Sequence, residues 1–272
     1  MSGPVPEYVE ERLRRPPPQG CNVIPGSTPV VGFGDPRNAK VATIGLNPNR
    51  LEFLDSEGSL LREDTQRLET LLSVGADSLE KVDAQVLARI FEGCNWYFER
   101  NPYRRWFDVL ERVLNGVGVS YYRGTACHLT LVQWATNPTW GLLPESSRAE
   151  LLRQDAPFLR ERIEDERMEL VLLNGRGVIT AFSDTIGCHL EGDDPPIADA
   201  QTQTHFMSGA TEAGTRIVAW TTNLHAAVGV SEWHRAGIAE RVAALGGRAQ
   251  AGALPGGGFE VAAVIPLPEH VT

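Results

Sequence analysis

Lys40 to Arg50, KVATIGLNPNR, is the stretch whose reading decides the fold. Val41, Ile44 and Leu46 are apolar and β-prone, Ala42 and Gly45 are small, and the run breaks at Asn47-Pro48. Such a run predicts a buried strand that delivers a polar loop at its C-terminal end. In an open α/β sheet, ligands bind outside the carboxyl ends of the strands, so Asn47 is expected where chemistry is usually found. The plainer alternative is that Asn-Pro only starts a turn.

Working outward, TACHLTLVQWAT (125–136), MELVLLN (168–174) and TRIVAWTT (215–222) predict further strands, and FEVAAVI (259–265) a last one. Helical spacing predicts helices from Pro102 to Gly116, at 145–166 and from Ser231 to about Leu245. Gly175-Arg176-Gly177 opens another helix directly after the third strand. Leucines recurring through 51–93 predict two helices parted near Gly75-Ala76, and the polar stretch 190–215, with Pro195-Pro196, reads as a long loop. Strands alternating with helices predict an α/β fold: three layers, α/β/α, around a mostly parallel four-stranded central sheet. Residues 1–28 are expected as an N-terminal arm, and 29–272 as one domain with a helical insertion at about 51–93.

A hydrophobic fraction of 42% over 272 residues suffices for a full core. No apolar run reaches the roughly 18 residues of a membrane span. The first twenty residues lack the apolar centre of a secretory signal, so a cytoplasmic protein is expected. The four cysteines form no CxxC pair and read as free thiols. Cys127-His128 and Cys188-His189 are neighbours that a strand turns to opposite faces, so neither predicts a metal site, and no cofactor is expected. A net charge of −10 argues against a protein that coats nucleic acid. It leaves room for a local basic face, for which Arg100, Arg104 and Arg105 are candidates, with Arg50 and Arg176.

Asn47, Gln133, Asn174 and His225 all fall at or just past predicted strand ends. Four hydrogen-bonding side chains on one rim predict a polar pocket.

These features resemble the uracil-DNA glycosylase superfamily. Gly45-Leu46-Asn47-Pro48-Asn49 is similar to the strand end Gly-x-Asn-Pro-Gly of its mismatch-specific and single-strand-selective branches. Leu224-His225-Ala226-Ala227-Val228 falls where the second motif, usually His-Pro-Ser, would stand. Phe98, with Asn101-Pro102 and Trp106 after it, resembles a Phe…Asn-Arg-Phe-Trp region of the mismatch-specific branch. The resemblance spans about residues 28–265 and implies a glycosylase-like fold that acts as a monomer on DNA and leaves an abasic site. It implies that Asn47 holds the attacking water and that His225 donates a hydrogen bond to the departing base. Phe98 would stack on that base, with Gln133 near its edge and Gly45, Leu46, Pro48 and Asn174 among the residues that bind it. Arg50, Arg104, Arg105 and Ser231 would meet DNA, and Val228 would enter the gap left in the duplex. The chain departs from the family in lacking Pro-Ser in the second motif, in Asn49 for Gly, and in Gln at 133. The longer link at 51–93 and the large loop at 190–215 suggest a base larger than uracil, such as a modified cytosine of phage DNA.

Each residue also has a structural reading: Phe98 as core, His225 as a satisfied loop histidine, Gln133 bonded to backbone, Arg104 and Arg105 as solvated helix surface. Two other functions stay open. One is a glycosylase-like module that binds a modified base or nucleotide without cutting. The other is a nucleotide or sugar-phosphate enzyme built on the Gly175 turn, for which no Gly-rich phosphate fingerprint is present.

Overall fold

The computed structural model describes residues 4–199, 202–225, 230–246, 248–253 and 259–264. In chain order its helices are α1 (Glu7–Arg14), α2 (Ala84–Asn95), α3 (Arg104–Gly116), α4 (Glu145–Asp165), α5 (Arg176–Phe182) and α6 (Glu232–Gly246). The strands are β1 (Val41–Gly45), β2 (Ala126–Thr130), β3 (Leu170–Asn174), β4 (His189–Ala198), β5 (Gln203–Ala210), β6 (Arg216–Trp220), β7 (Arg248–Ala253) and β8 (Phe259–Val264). The central sheet runs β2-β1-β3-β6-β5-β4. β2, β1, β3 and β6 are parallel, so their carboxyl ends share one edge.

Both faces of the parallel strands are buried, and side-chain alternation divides them cleanly. Val41, Leu170, Leu172, Val218 and Trp220 face a core built with α3 and α6, through Phe107, Leu110, Ile238 and Val242. Ala42, Ile44, Val171, Leu173, Ile217 and Ala219 face the other way, toward Leu159 and Ile163 of α4 and Ile179 and Phe182 of α5. Helices therefore cover both faces, and each large apolar side chain buried there stabilises by about 1.5–3 kcal/mol.

The central sheet is larger than the four strands the sequence suggests. The stretch 190–215, expected as a loop, forms the β4–β5 hairpin, and β5 pairs antiparallel with β6. Pro195 and Pro196 fall in a register break between Asp193 and Ile197 on the edge strand, where a missing N–H costs no ladder bond. The last predicted strand, β8, pairs with β7 in a separate two-stranded sheet.

Only the end of the 51–93 segment is an α-helix. Before it, side chains capture the backbone: Asp55 Oδ1 accepts from Glu57 and Ser59 amides, and Thr70 and Ser73 exchange bonds across a turn. Such local bonds compete with a helix ladder. The leucines there do not share a face, since Leu68 is buried while Leu72 is 59% exposed.

Residues 4–28 pack closely onto the domain. Val9 and Leu13 join the core, and Arg12 is buried. Its Nη2 meets Asp155 Oδ2 of α4 at 2.8 Å, and its Nε donates to Gln133 Oε1 at 2.9 Å. Among the described residues, no helix is long and apolar enough to cross a membrane. All four cysteines are free thiols.

Candidate active site

A cleft of about 320 Å³ opens at the carboxyl edge of the parallel strands. β1 delivers Gly45, Leu46, Asn47 and Pro48 into it, and the following turn delivers Asn49, Arg50 and Glu52. Trp106 and Phe107 of α3, His128 of β2, Asn174 of β3 and His225 beyond β6 complete the inner walls. Thr136 and Trp140, from the loop after β2, form the outer one.

Asn47 is fixed through its amide nitrogen. Nδ2 donates to the Trp134 carbonyl at 3.2 Å and to Thr136 Oγ1 at 3.1 Å. Both amide hydrogens are thus used, which identifies the oxygen as Oδ1 and leaves it as a free acceptor in the cleft. An acceptor held in this way orients a water by one of its hydrogens.

His225 is held on three sides. Its ring stacks on Trp106 with centroids 4.1 Å apart and planes 11° from parallel. Asn174 fixes its tautomer. Asn174 Oδ1 accepts from Trp220 Nε1 and from the Leu224 amide, so Nδ2 is the donor that meets His225 Nδ1 at 3.0 Å. The His225 proton therefore sits on Nε2, which donates to the Trp106 carbonyl at 3.1 Å. Burial pushes the His225 pKa down to about 4, so the ring is neutral at physiological pH. Asn174, expected to bind the substrate, lines the cleft and bonds the histidine.

Gly175 makes that arrangement possible. Its φ is +94°, and a Cβ there would stand 3.0 Å from Asn223 Cβ in the loop that carries His225.

Two expected residues do not reach the cleft. Phe98 is buried, stacks on Tyr121 at 4.7 Å and makes T-shaped contacts with Tyr97 and Phe107, so its ring belongs to the core. Gln133 is 1% exposed, and its amide is spent on Arg12 and on the Thr130 and Leu131 carbonyls. Of the residues expected to meet DNA, Arg50 lines the cleft, and Arg104 and Arg105 are exposed in the first turn of α3 beside Trp106. Arg104 lies over the Tyr122 ring at 4.2 Å. Arg176 is exposed at the start of α5, whereas Arg100 is turned to Glu69 at 3.8 Å. Ser231 caps α6 by accepting from the His234 amide and donates to Asp199. Val228 lies outside the described residues.

His128, weighed in the sequence only as a metal ligand, also lines the cleft. It stands opposite Thr43 in the β1–β2 register, and its Nδ1 meets Thr43 Oγ1 at 2.7 Å. Thr43 Oγ1 also meets the Tyr121 hydroxyl, which has no other hydrogen-bond partner among the described residues. Every donor in this chain finds an acceptor when Tyr121 donates to Thr43 and Thr43 donates to His128 Nδ1. That chain leaves the His128 proton on Nε2. Burial pushes the His128 pKa down to about 3, so it too is neutral. Gly45 gives it room, because a Cβ there would fall 2.7 Å from Nε2. The signal was present in the pattern: Thr43 and His128 are polar at positions where strand alternation demands apolar residues.

Among the described residues, no three His, Cys, Asp or Glu side chains converge to hold a metal ion. Neither a family model nor a curated protein matches the chain.

Proposed function

We propose that the cleft is the active site of a monofunctional DNA glycosylase, which hydrolyses the N-glycosidic bond of a base turned out of the duplex. The observation that carries this reading is the pairing of a fixed acceptor, Asn47 Oδ1, with a neutral imidazole, His225, in one cleft. An amide cannot take a proton, so Asn47 orients water toward a sugar whose bond to the base has largely broken. A neutral imidazole N–H serves the other side, where charge builds on the departing base. A preorganised donor of this kind is worth about 3–4 kcal/mol. The aromatic lining of Trp106, Phe107 and Phe33 suits a planar base and offsets the cost of extruding it. The resemblance of Gly45-Leu46-Asn47-Pro48 and His225 to the glycosylase motifs points the same way.

A second reading has its own support. His225 Nε2 already donates to the Trp106 carbonyl, and a donor so engaged fits a module that binds an extruded base without cutting it. In the catalytic reading, His225 exchanges that carbonyl for the base.

The test is the formation of alkali-labile sites in oligonucleotides carrying uracil, deaminated purines or bulky modified cytosines. Asn47→Ala and His225→Ala are each expected to lower turnover about a hundredfold or more with the fold intact by circular dichroism. Full activity in both variants would sink the assignment.

A further inference from the structure

Glu52 is the carboxylate that lines the cleft, and the proposed chemistry leaves it unused. It lies five residues past Asn47, on the short turn Arg50–Glu52 that Asn49 caps by accepting from the Leu51 amide at 2.9 Å. The residue is 2% exposed, yet it lines the cleft. Its Oε2 accepts from the Tyr97 hydroxyl at 2.5 Å, and that hydroxyl accepts from the Tyr103 amide at 2.9 Å. The phenol hydrogen is therefore committed to Oε2. Oε1 has no hydrogen-bond partner among the described residues and is not one of the fully sealed polar atoms, so it is the oxygen left for the cleft.

The surroundings give this oxygen a flat neighbour to read. The Tyr97 ring packs on Phe33 at 4.7 Å and on Phe107 at 5.4 Å, and both of those rings line the cleft. His128 packs on the same two rings and offers an N–H from Nε2. An aromatic wall with one free acceptor and one donor is the equipment for a planar heterocycle. Buried carboxylates without an ion pair are costly, and one kept in a cleft asks for a ligand that repays it.

We infer that Glu52 selects the base: Oε1 accepts a hydrogen bond from an exocyclic amino group, so the site prefers an amino-bearing base to its oxo counterpart. This rests on the glycosylase reading of the cleft. A carboxylate oxygen only accepts. The amino group of cytosine presents hydrogens outward, and carboxylates are its natural partners. The corresponding edge of uracil presents a carbonyl oxygen, which repels a carboxylate.

Protonation reverses the preference. A neutral carboxyl donates, and a donor suits the carbonyl. Burial raises the Glu52 pKa to about 7, against the pull of the Tyr97 hydroxyl and the Arg67 charge. Arg67 makes no ion pair with it; its guanidinium donates to the Leu51 and Asn101 carbonyls. Arg50 is the cation on the same turn. Across the cleft, His128 and His225 are neutral throughout this range, and Tyr97 keeps its proton. Glu52 is then the cleft group that changes charge between pH 6 and 8.

The experiment measures dissociation constants by fluorescence anisotropy. The probes are two oligonucleotides, each with one non-hydrolysable 2′-fluoroarabino nucleotide, bearing cytosine in one and uracil in the other. At pH 8 the protein is expected to bind the cytosine probe about tenfold more tightly. At pH 6, where the carboxyl is mostly protonated, the ratio should fall to one or below. Glu52→Gln, whose amide both donates and accepts, should abolish the preference and its pH dependence. Tyr97→Phe keeps the carboxyl but removes a donor to its charged form, so the midpoint should move to higher pH, which keeps the test alive should Glu52→Gln fold poorly. A ratio near one for the protein at pH 8, or one unchanged by Glu52→Gln, overturns the inference. A failed glycosylase reading looks different: ordinary deoxy substrates stay intact while the binding preference persists. Binding of neither probe overturns both.

Discussion

In the proposed chemistry, Asn47 and His225 depend on neighbours that fix them: Asn47 keeps one oxygen open, and His225 keeps its proton on Nε2. For Asn47 the neighbours are Trp134 and Thr136, and for His225 they are Asn174 and Trp106. Asn174→Ala should therefore lower turnover by tenfold or more without touching the base, because His225 loses the partner that fixes its tautomer. Its signature is a fall in kcat at unchanged KM; a change in KM alone would argue against a positioning role. Gly45→Ala should force His128 away from Nε2's present place, at about 1–3 kcal/mol of stability. A melting temperature equal to that of the parent would show that the ring has room after all. Asn47, Asn174 and His225 were legible in the sequence because polar residues just past apolar strands have few structural reasons to be there. Gln133 obeyed the same rule and misled, since its partner Arg12 lies 121 residues away and no local pattern reveals it. Phe98 misled for the same reason, because Tyr121 supplies the stacking face.

Among the elements, the four parallel strands and α3, α4 and α6 were legible from periodicity, within a residue or two at most ends. The β4–β5 hairpin was not, because prolines that normally mark loops are tolerated at an edge strand. The clamp between α1 and α4 was equally hidden. Arg12 and Asp155 are each 1% exposed, so removing one leaves the other charge buried alone. Asp155→Ala is expected to cost about 3–5 kcal/mol in urea unfolding, more than replacing both residues by apolar ones of like volume. A cost below 1 kcal/mol would mean that the pair carries little of the docking of α1. The first turn of α3 exposes Arg104 and Arg105 beside the cleft, and replacing either by alanine should lower the slope of log K against log salt by about 1 for DNA. An unchanged slope would remove that residue from the DNA face.

The whole molecule carries −10, so the rim arginines must act against the overall field, and DNA affinity should be modest and steeply salt-dependent. Its stability should depend on pH through the cleft. His128 and His225 have folded pKa values of about 3 and about 4, below the ordinary 6.5, so the unfolded chain binds more protons as pH falls beneath 6.5. Each histidine then removes up to about 1.4 kcal/mol per pH unit on acidification, until its folded value is reached. Glu52 works the other way. Its folded pKa of about 7 lies above the ordinary 4.5, so its contribution is present below 4.5 and is lost as pH rises toward 7. Between pH 4.5 and 6.5 it cancels about one histidine. Glu52→Gln should therefore steepen the acid loss of stability measured by urea unfolding at pH 6.5 and 5. An equal or shallower loss would contradict the buried, proton-holding state of Glu52.

The most direct measurement is the mass balance of free base and abasic site, by chromatography, from DNA saturated with protein. The glycosylase account predicts equal amounts of both from one modified base, and neither with Asn47→Ala. Tight binding of the same DNA with no base released would contradict it and leave a protein that holds an extruded base without cutting it.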